Sequence, residues 1–395
     1  MNLEKALNIA DLKRMAARKL PAPLFNYIDG GADGESTRRA NNRAFEAVRL
    51  IPEYLVDVSD IDTSTQVLGR AIEWPVMLAP TGMSRLFHHE GELAVARAAR
   101  AAGTYYCLST VASCDIESVA SASDGPKCFQ IYVMRDRGLT REFIQRCKEA
   151  GYSALALTVD VPVAGYRERE LRYGFTLPPQ LKLSTFLAMA RKPAWCWHHL
   201  TRPGVRLANV AHRIAQGSSD ASSLMQYVAD QFDPSVDWDD MAWMIGEWGG
   251  PFAIKGILSP ADAVRAAETG CSAIMVSNHG GRQLDHAVTP FAALPAIAEA
   301  VGDRCEIILD GGIRRGTDVL KALALGADAC SIGRPYLYGL AAGGEAGVSK
   351  ALSLLRAEVE RDMGLLGCRR VTDIQPRHLA GTPGSGSAAS GQYFL

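Results

Sequence analysis

A four-part unit recurs along this chain and restricts the folds open to it: an alanine-rich amphipathic helix, a glycine, a short apolar strand and a polar strand exit. Glu92 to Ala102 with Gly103 leads into Thr104 to Leu108, and Arg141 to Ala150 with Gly151 leads into Ala154 to Val159. Ala261 to Thr269 with Gly270 leads into Ala273 to Val276, and Asp318 to Leu325 with Gly326 leads into Ala329 to Ile332. Glycine stops a helix because it accepts the left-handed backbone of a C-terminal cap. Further apolar segments suit strands at Pro75 to Ala79, Cys128 to Val133, Phe252 to Ile254 and Glu306 to Leu309. Eight strands with helical crossovers predict an α/β fold, the (β/α)8 TIM barrel, whose chemistry lies at the strand C-terminal ends. An open doubly wound sheet is the alternative.

The exits carry groups that act on ligands. In order they are Pro80-Thr81-Gly82, Ser109-Thr110, Tyr132, Asp160, Lys255, His279 with Arg282, Asp310-Gly311-Gly312 and Gly333-Arg334. The run Ser277-Asn278-His279-Gly280-Gly281-Arg282-Gln283-Leu284-Asp285 is the richest. Its histidine exchanges a proton near neutral pH, and its arginine offers a rigid fork suited to a carboxylate. Together they describe a site for a small acid.

Phosphate sites in such barrels use the loops after strands 7 and 8. Here these hold Asp310-Gly311-Gly312-Ile313-Arg314 and Gly333-Arg334, where glycine lets backbone amides approach and arginine adds charge. No Gly-x-Gly-x-x-Gly and no Walker lysine loop is present, which disfavours a nicotinamide fold or a P-loop. A flavin mononucleotide fits what remains. Lys255 suits the negative charge a reduced flavin carries, and Gln130, Thr158 and Ser109 suit the ring edge. The alternative for Lys255 is an ion pair within the barrel.

Four motifs carry a resemblance: Ser277 to Asp285, Leu309 to Asp318, Lys321 to Ala327, and Phe129-Gln130-Ile131-Tyr132-Val133. The chain resembles the FMN-dependent L-2-hydroxy acid oxidase and dehydrogenase family over residues 1 to about 375. The resemblance implies FMN as cofactor and His279 as the base, with Asp160 orienting it. It implies that Arg167 and Arg282 clamp the substrate carboxylate, that Tyr27 and Tyr132 hydrogen-bond substrate, and that Lys255 faces the flavin. Thr81, Ser109, Gln130, Thr158, Asp310, Gly312, Arg314, Gly333 and Arg334 match FMN-contact positions, and Pro80, Gly82, Ser277 and Gly311 complete the candidate cofactor set. A homotetramer is implied by resemblance alone.

One domain is expected over 1–375, with residues 1 to about 70 as a helical extension covering the barrel bottom and lending Tyr27 to the rim. Residues 176–225 form an insertion between strands 4 and 5, and the Gly/Ser-rich tail 376–395 is expected to be disordered. From 171 to 219 there are seven Lys/Arg and no Asp or Glu, against a net charge of −1 for all 395 residues. With Phe186, Trp195 and Trp197 nearby, this predicts attachment to an anionic membrane surface, peripheral on the cytoplasmic side of the inner membrane, and a quinone as electron acceptor. A basic segment packed on an acidic partner subunit is the alternative.

The near-zero net charge implies no nucleic-acid partner. No stretch is apolar enough to span a membrane, and the start lacks a signal peptide's core. Nine scattered cysteines, never Cys-x-x-Cys, predict reduced cytosolic thiols and no metal site. Gly82 and Gly165-Tyr166-Arg167-Glu168-Arg169 resemble the mandelate-oxidising members, whereas Leu108-Ser109-Thr110-Val111 resembles the lactate-oxidising ones. L-lactate is the expected substrate and L-mandelate the next. An oxygen-reducing soluble oxidase and a non-redox FMN barrel isomerase are the competing readings.

Overall fold

In the computed structural model, residues 2–174, 189–202, 204–213 and 233–381 are described. Eight parallel strands close into a barrel in chain order: β1 Val76–Leu78, β2 Tyr106–Ser109, β3 Lys127–Ile131, β4 Ala154–Thr158, β5 Phe252–Ile257, β6 Ala273–Ser277, β7 Glu306–Asp310 and β8 Ala329–Ile332. Closure between β8 and β1, through Cys330 beside Val76 and Ile332 beside Leu78, excludes the open sheet. Nearly every strand residue is buried, because side chains facing out meet helices and those facing in meet each other. Each fully buried Leu, Ile or Val contributes about 1.5–3 kcal/mol.

Register gathers the polar exits at one level. Ser109 lies beside Gln130, Thr158 beside Lys255, and Asp310 beside both Ser277 and Ser331. The opposite end is filled by Met77, Tyr105, Met275, Ile308 and several alanines, packed against Val67, Leu68 and Ile72. Those last three belong to a hairpin, Thr65–Val67 with Arg70–Ile72, that plugs the barrel bottom. Leu68 N there donates to Glu306 Oε2 at 2.6 Å.

Among the described residues this hairpin, at the end of the N-terminal extension, packs on the bottom, while the extension's helices lie elsewhere, which corrects the expectation that they cover it. Helix Ile9–Lys19 packs on the C-terminal helix Arg334–Leu366, and Ala22–Asp29 and Ser36–Arg43 reach the site end. Ala32 N donates to Gly281 O at 2.8 Å, and Thr37 N to Asp285 Oδ1 at 2.7 Å. The chain also stays structured past 375. Leu379–Ala380 pairs with Arg49–Leu50, so only 382–395 of the expected tail lie outside the described residues.

The crossover helices include Gly91–Ala101, Arg137–Glu149, Pro260–Thr269 and Gly316–Ala324. Arg137–Glu149 starts four residues before its apolar pattern because the Asp136 carboxylate accepts from Gly138 N and Leu139 N, satisfying amides a helix start leaves open. Helix Glu168–Arg172 precedes the insertion and helix Pro193–Thr201 lies within it, whereas Lys182 and Phe186 lie outside the described residues.

Candidate active site

A cavity of about 630 Å³ lies among the strand exits, within the size range of small-molecule sites. Among the candidate catalytic residues, Tyr27, Tyr132, Arg167, His279 and Arg282 line it. Asp160 stands behind His279.

His279 owes its position to a turn in which three successive residues, His279, Gly280 and Gly281, have φ of +56°, +66° and +74°. A Cβ on Gly281 would come within 2.5 Å of Arg38 N, so the N-terminal extension requires glycine there. His279 Nδ1 lies 2.8 Å from Asp160 Oδ1. With the carboxylate accepting from Nδ1–H, Nε2 is the nitrogen left to accept a proton. Burial lowers the His279 pKa below its ordinary 6.5, and Asp160 only partly offsets this, so the resting imidazole is neutral. Burial opposes the Asp160 charge as well, yet His279 and Lys255 hold its carboxyl below the usual range. Burial and Asp160 raise the Tyr132 phenol, which stays protonated.

Two guanidinium groups share the cavity wall. Arg282 donates through Nη1 to Tyr27 O at 2.7 Å and through Nη2 to Glu170 Oε1 at 2.9 Å, and it stacks 4.9 Å from the centre of the Tyr27 ring. Arg167 Nη1 lies 3.8 Å from Glu170 Oε2, and its Nε is buried with no hydrogen-bond partner. Burial, and then the charge of Arg282, depress the Arg167 pKa. Two cations facing one carboxylate leave net positive charge for an incoming acid. Glu170 was not anticipated from sequence, where Glu168 and Arg169 stood only in the run Gly165 to Arg169 that resembles the mandelate-oxidising members. Its spacing three residues after Arg167 was the available signal.

Of the candidate cofactor residues, Pro80, Thr81, Gly82, Ser109 and Lys255 line the cavity, as do Asp310, Gly311, Gly312, Arg314, Gly333 and Arg334. Gln130, Thr158 and Ser277 are set one layer back. Gln130 Oε1 accepts from Ser109 Oγ at 3.0 Å, Ser277 Oγ accepts from Lys255 Nζ at 3.0 Å, and Thr158 lines a second cavity of about 300 Å³. Lys255 Nζ is 3.1 Å from Asp310 Oδ2, so the ion pair within the barrel is present and the same lysine faces the cavity. Burial opposes its charge, but Asp310 and Asp160 raise its pKa.

A match to the family model of FMN-dependent dehydrogenases spans residues 16–381. The chain belongs to that family. It is 44% identical over 372 residues to an L-lactate dehydrogenase of Caulobacter vibrioides, covering 94% of this chain and 96% of that one. It is 44% identical over 381 residues to an L-lactate oxidase of a Nostoc species, covering 95% and 99%. Among solved structures, a monotopic membrane protein, (S)-mandelate dehydrogenase, superposes with a TM-score of 0.92 at 35% identity, covering 95% of this chain and all of that one. FMN is therefore the cofactor, and oxidation of a 2-hydroxy acid is the reaction.

The residues present fit FMN. Ser331 Oγ, which lines the cavity, and Gln130 Nε2, on the side chain bonded to the cavity-lining Ser109, are buried without hydrogen-bond partners, and such groups are costly unless a ligand satisfies them. Burial lowers Arg334 to about 9, with Arg282 and Arg314 adding to the effect, a strain that an anionic phosphate relieves. Its Nη1 and Nη2 donate to the carbonyls of Gly280 and Gly30 at 2.9 and 2.6 Å, which fixes the guanidinium.

Sequence reasoning missed the scaffold behind these groups. Asn41 and Asn278 exchange side-chain hydrogen bonds at 2.7 and 2.8 Å, tying the N-terminal extension to the histidine turn. Tyr336 bonds Thr81 Oγ1 at 2.6 Å and Ala79 O at 2.8 Å, linking the exits of β1 and β8.

Proposed function

We propose that this enzyme oxidises L-lactate in preference to L-mandelate and passes the electrons to a membrane quinone. The observation that carries the reading is one cavity bearing a neutral imidazole backed by a carboxylate and two guanidinium groups. Arg167 and Arg282 bind the substrate carboxylate and so fix the direction of Cα. Tyr27 and Tyr132 hydrogen-bond the substrate oxygens. His279 Nε2 removes a proton from the substrate, and Asp160 stabilises the imidazolium so formed. FMN, when bound, supplies the two-electron acceptor. Proton removal from Cα and from the hydroxyl call on the same residues. Lys255 provides fixed positive charge at the cofactor site.

Identity to relatives named for L-lactate, and the small apolar wall of Val111 and Leu207, support the methyl-bearing substrate. The insertion supports the acceptor. Helix Pro193–Thr201 docks through Trp195 Nε1 on Leu86 O at 2.9 Å while Trp197 and Leu200 are 66% and 84% exposed. Arg191, Lys192 and Arg202 flank them. Exposed aromatic and aliphatic groups ringed by cations suit an anionic interface, and no helix among the described residues is long and apolar enough to cross a membrane. Attachment is therefore peripheral in this reading, on the cytoplasmic side of the inner membrane.

Anaerobic mixing with L-lactate and with L-mandelate tests the substrate: the flavin absorbance bleaches fastest with L-lactate, and no bleaching by either contradicts the proposal. The L-lactate oxidase relative favours a second reading, reduction of oxygen. Comparing oxygen uptake with reduction of a quinone analogue separates the two.

A further inference from the structure

The loop that leaves β1 runs past the cavity-lining Phe87 and through His88, His89 and Glu90, which do not line the cavity, into helix Gly91–Ala101. One donor atom from each of these three side chains lies within 4.8 Å of the others. The insertion brings a third imidazole to them. His198, on helix Pro193–Thr201, stacks on His89 with ring centres 4.8 Å apart at 14°, and His88 lies 4.4 Å from His89 and 6.4 Å from His198.

Three imidazoles in contact do not follow from hydrophobic packing, since each carries two polar nitrogens that need partners. His89 Nδ1 is buried and has no hydrogen-bond partner. His88 Nδ1 receives only a long 3.5 Å contact from the Glu90 amide. The Glu90 carboxylate gives Oε1 to Arg97 at 2.7 Å and leaves Oε2 facing His88 Nδ1 at 3.6 Å. Behind them the C-terminal helix breaks at Gly343 and Gly344. A Cβ on Gly344 would come within 2.9 Å of both His88 Nε2 and Glu90 Oε2. The backbone thus leaves room for the donor atoms from a third element.

We propose that His88, His89 and Glu90, joined by His198, bind one borderline divalent metal ion such as Zn²⁺ and thereby clamp the insertion to the loop after β1. Tetrahedral donors at metal–nitrogen distances of about 2.0–2.1 Å sit about 3.4 Å apart, so side-chain rotation closes the set. Imidazole with one carboxylate selects Zn²⁺, Ni²⁺ or Cu²⁺ over Mg²⁺ or Ca²⁺. Four protein ligands make such a site structural. Lys19, Arg85 and Arg202 face the histidines and disfavour added positive charge, whether a proton or a metal; Glu90 offsets them. Burial, His89, His198 and Lys19 lower His88 to about 4, which keeps its lone pairs available at neutral pH. The cysteine pattern gave no hint of this site because its ligands are imidazoles and a carboxylate, one of them from far along the chain.

The test is calorimetric titration of Zn²⁺ into untagged, FMN-loaded protein previously dialysed against a chelator. The site requires saturation at one ion per chain. Cu²⁺ in its place gives an electron paramagnetic resonance spectrum split by several nitrogen nuclei, which surface carboxylates do not produce. His198→Gln weakens binding by at least about tenfold, and His88→Gln with His89→Gln removes it, while both variants keep their flavin absorbance. Absence of stoichiometric binding to the unaltered protein overturns the site, whatever the variants do. Unchanged affinity in His198→Gln overturns the clamp.

Discussion

His279 Nδ1 sits 2.8 Å from Asp160 Oδ1, while Asp160 Oδ2 is buried with no hydrogen-bond partner. The carboxylate therefore concentrates on the histidine, selecting its tautomer and stabilising its charged form. Asp160→Asn presents the imidazole with an amide that fixes neither, so kcat falls by about 10²–10⁴ with the flavin still bound. Rapid mixing with substrate measures this; a loss under threefold would show that the pairing is structural.

Glu170 is the counter-charge for both Arg167 and Arg282, the proposed carboxylate clamp. Glu170→Gln leaves two buried guanidinium groups uncompensated, at a cost of about 3 kcal/mol in folding stability. KM for the hydroxy acid rises more than kcat falls, because Arg282 loses one of its anchors. Thermal melting and steady-state kinetics check both effects. Unchanged values would show that the Tyr27 and Gly30 carbonyls suffice to hold Arg282.

A Cβ added to Gly82 would lie 2.6 Å from Val111 Cγ2. Gly82→Ala therefore overpacks the cavity wall and destabilises the protein by about 1–3 kcal/mol. The double variant Gly82→Ala/Val111→Ala recovers most of that loss, and a double-mutant cycle of melting temperatures measures the coupling. Simple additivity would contradict the contact.

The pH dependence has two parts. A depressed His279 pKa keeps the imidazole neutral below 6.5, so, with His279 as the proposed base, the acid limb of kcat/KM lies under that value rather than at it. In metal-free protein His88, lowered to about 4, refuses a proton that the unfolded chain accepts at 6.5. Its contribution to stability is complete above 6.5 and is lost as pH falls toward 4. Chemical denaturation across that window should show the decline, and His88→Gln should flatten it.

Much of this was legible in the chain. The eight strands were, because each is a short apolar run closed by a polar exit, and local pattern alone specifies such elements. Helix starts were less so: Asp136 sets Arg137–Glu149 by a cap, not by apolar spacing. Tyr27 was rightly expected at the rim, but the helices of the N-terminal extension were misplaced because their position rests on contacts far apart in sequence, such as Asn41 with Asn278. Glu170 escaped notice because a buried charge and a solvated one look alike in sequence. What reveals it is the pair of arginines it meets after folding.

The central claim is that His279 is the base of the reaction. The most direct measurement is the single-turnover rate of flavin bleaching when His279→Gln is mixed anaerobically with L-lactate. The account predicts full FMN occupancy and a rate lower by about 10²–10⁴. Bleaching at the rate of the unaltered enzyme would contradict it.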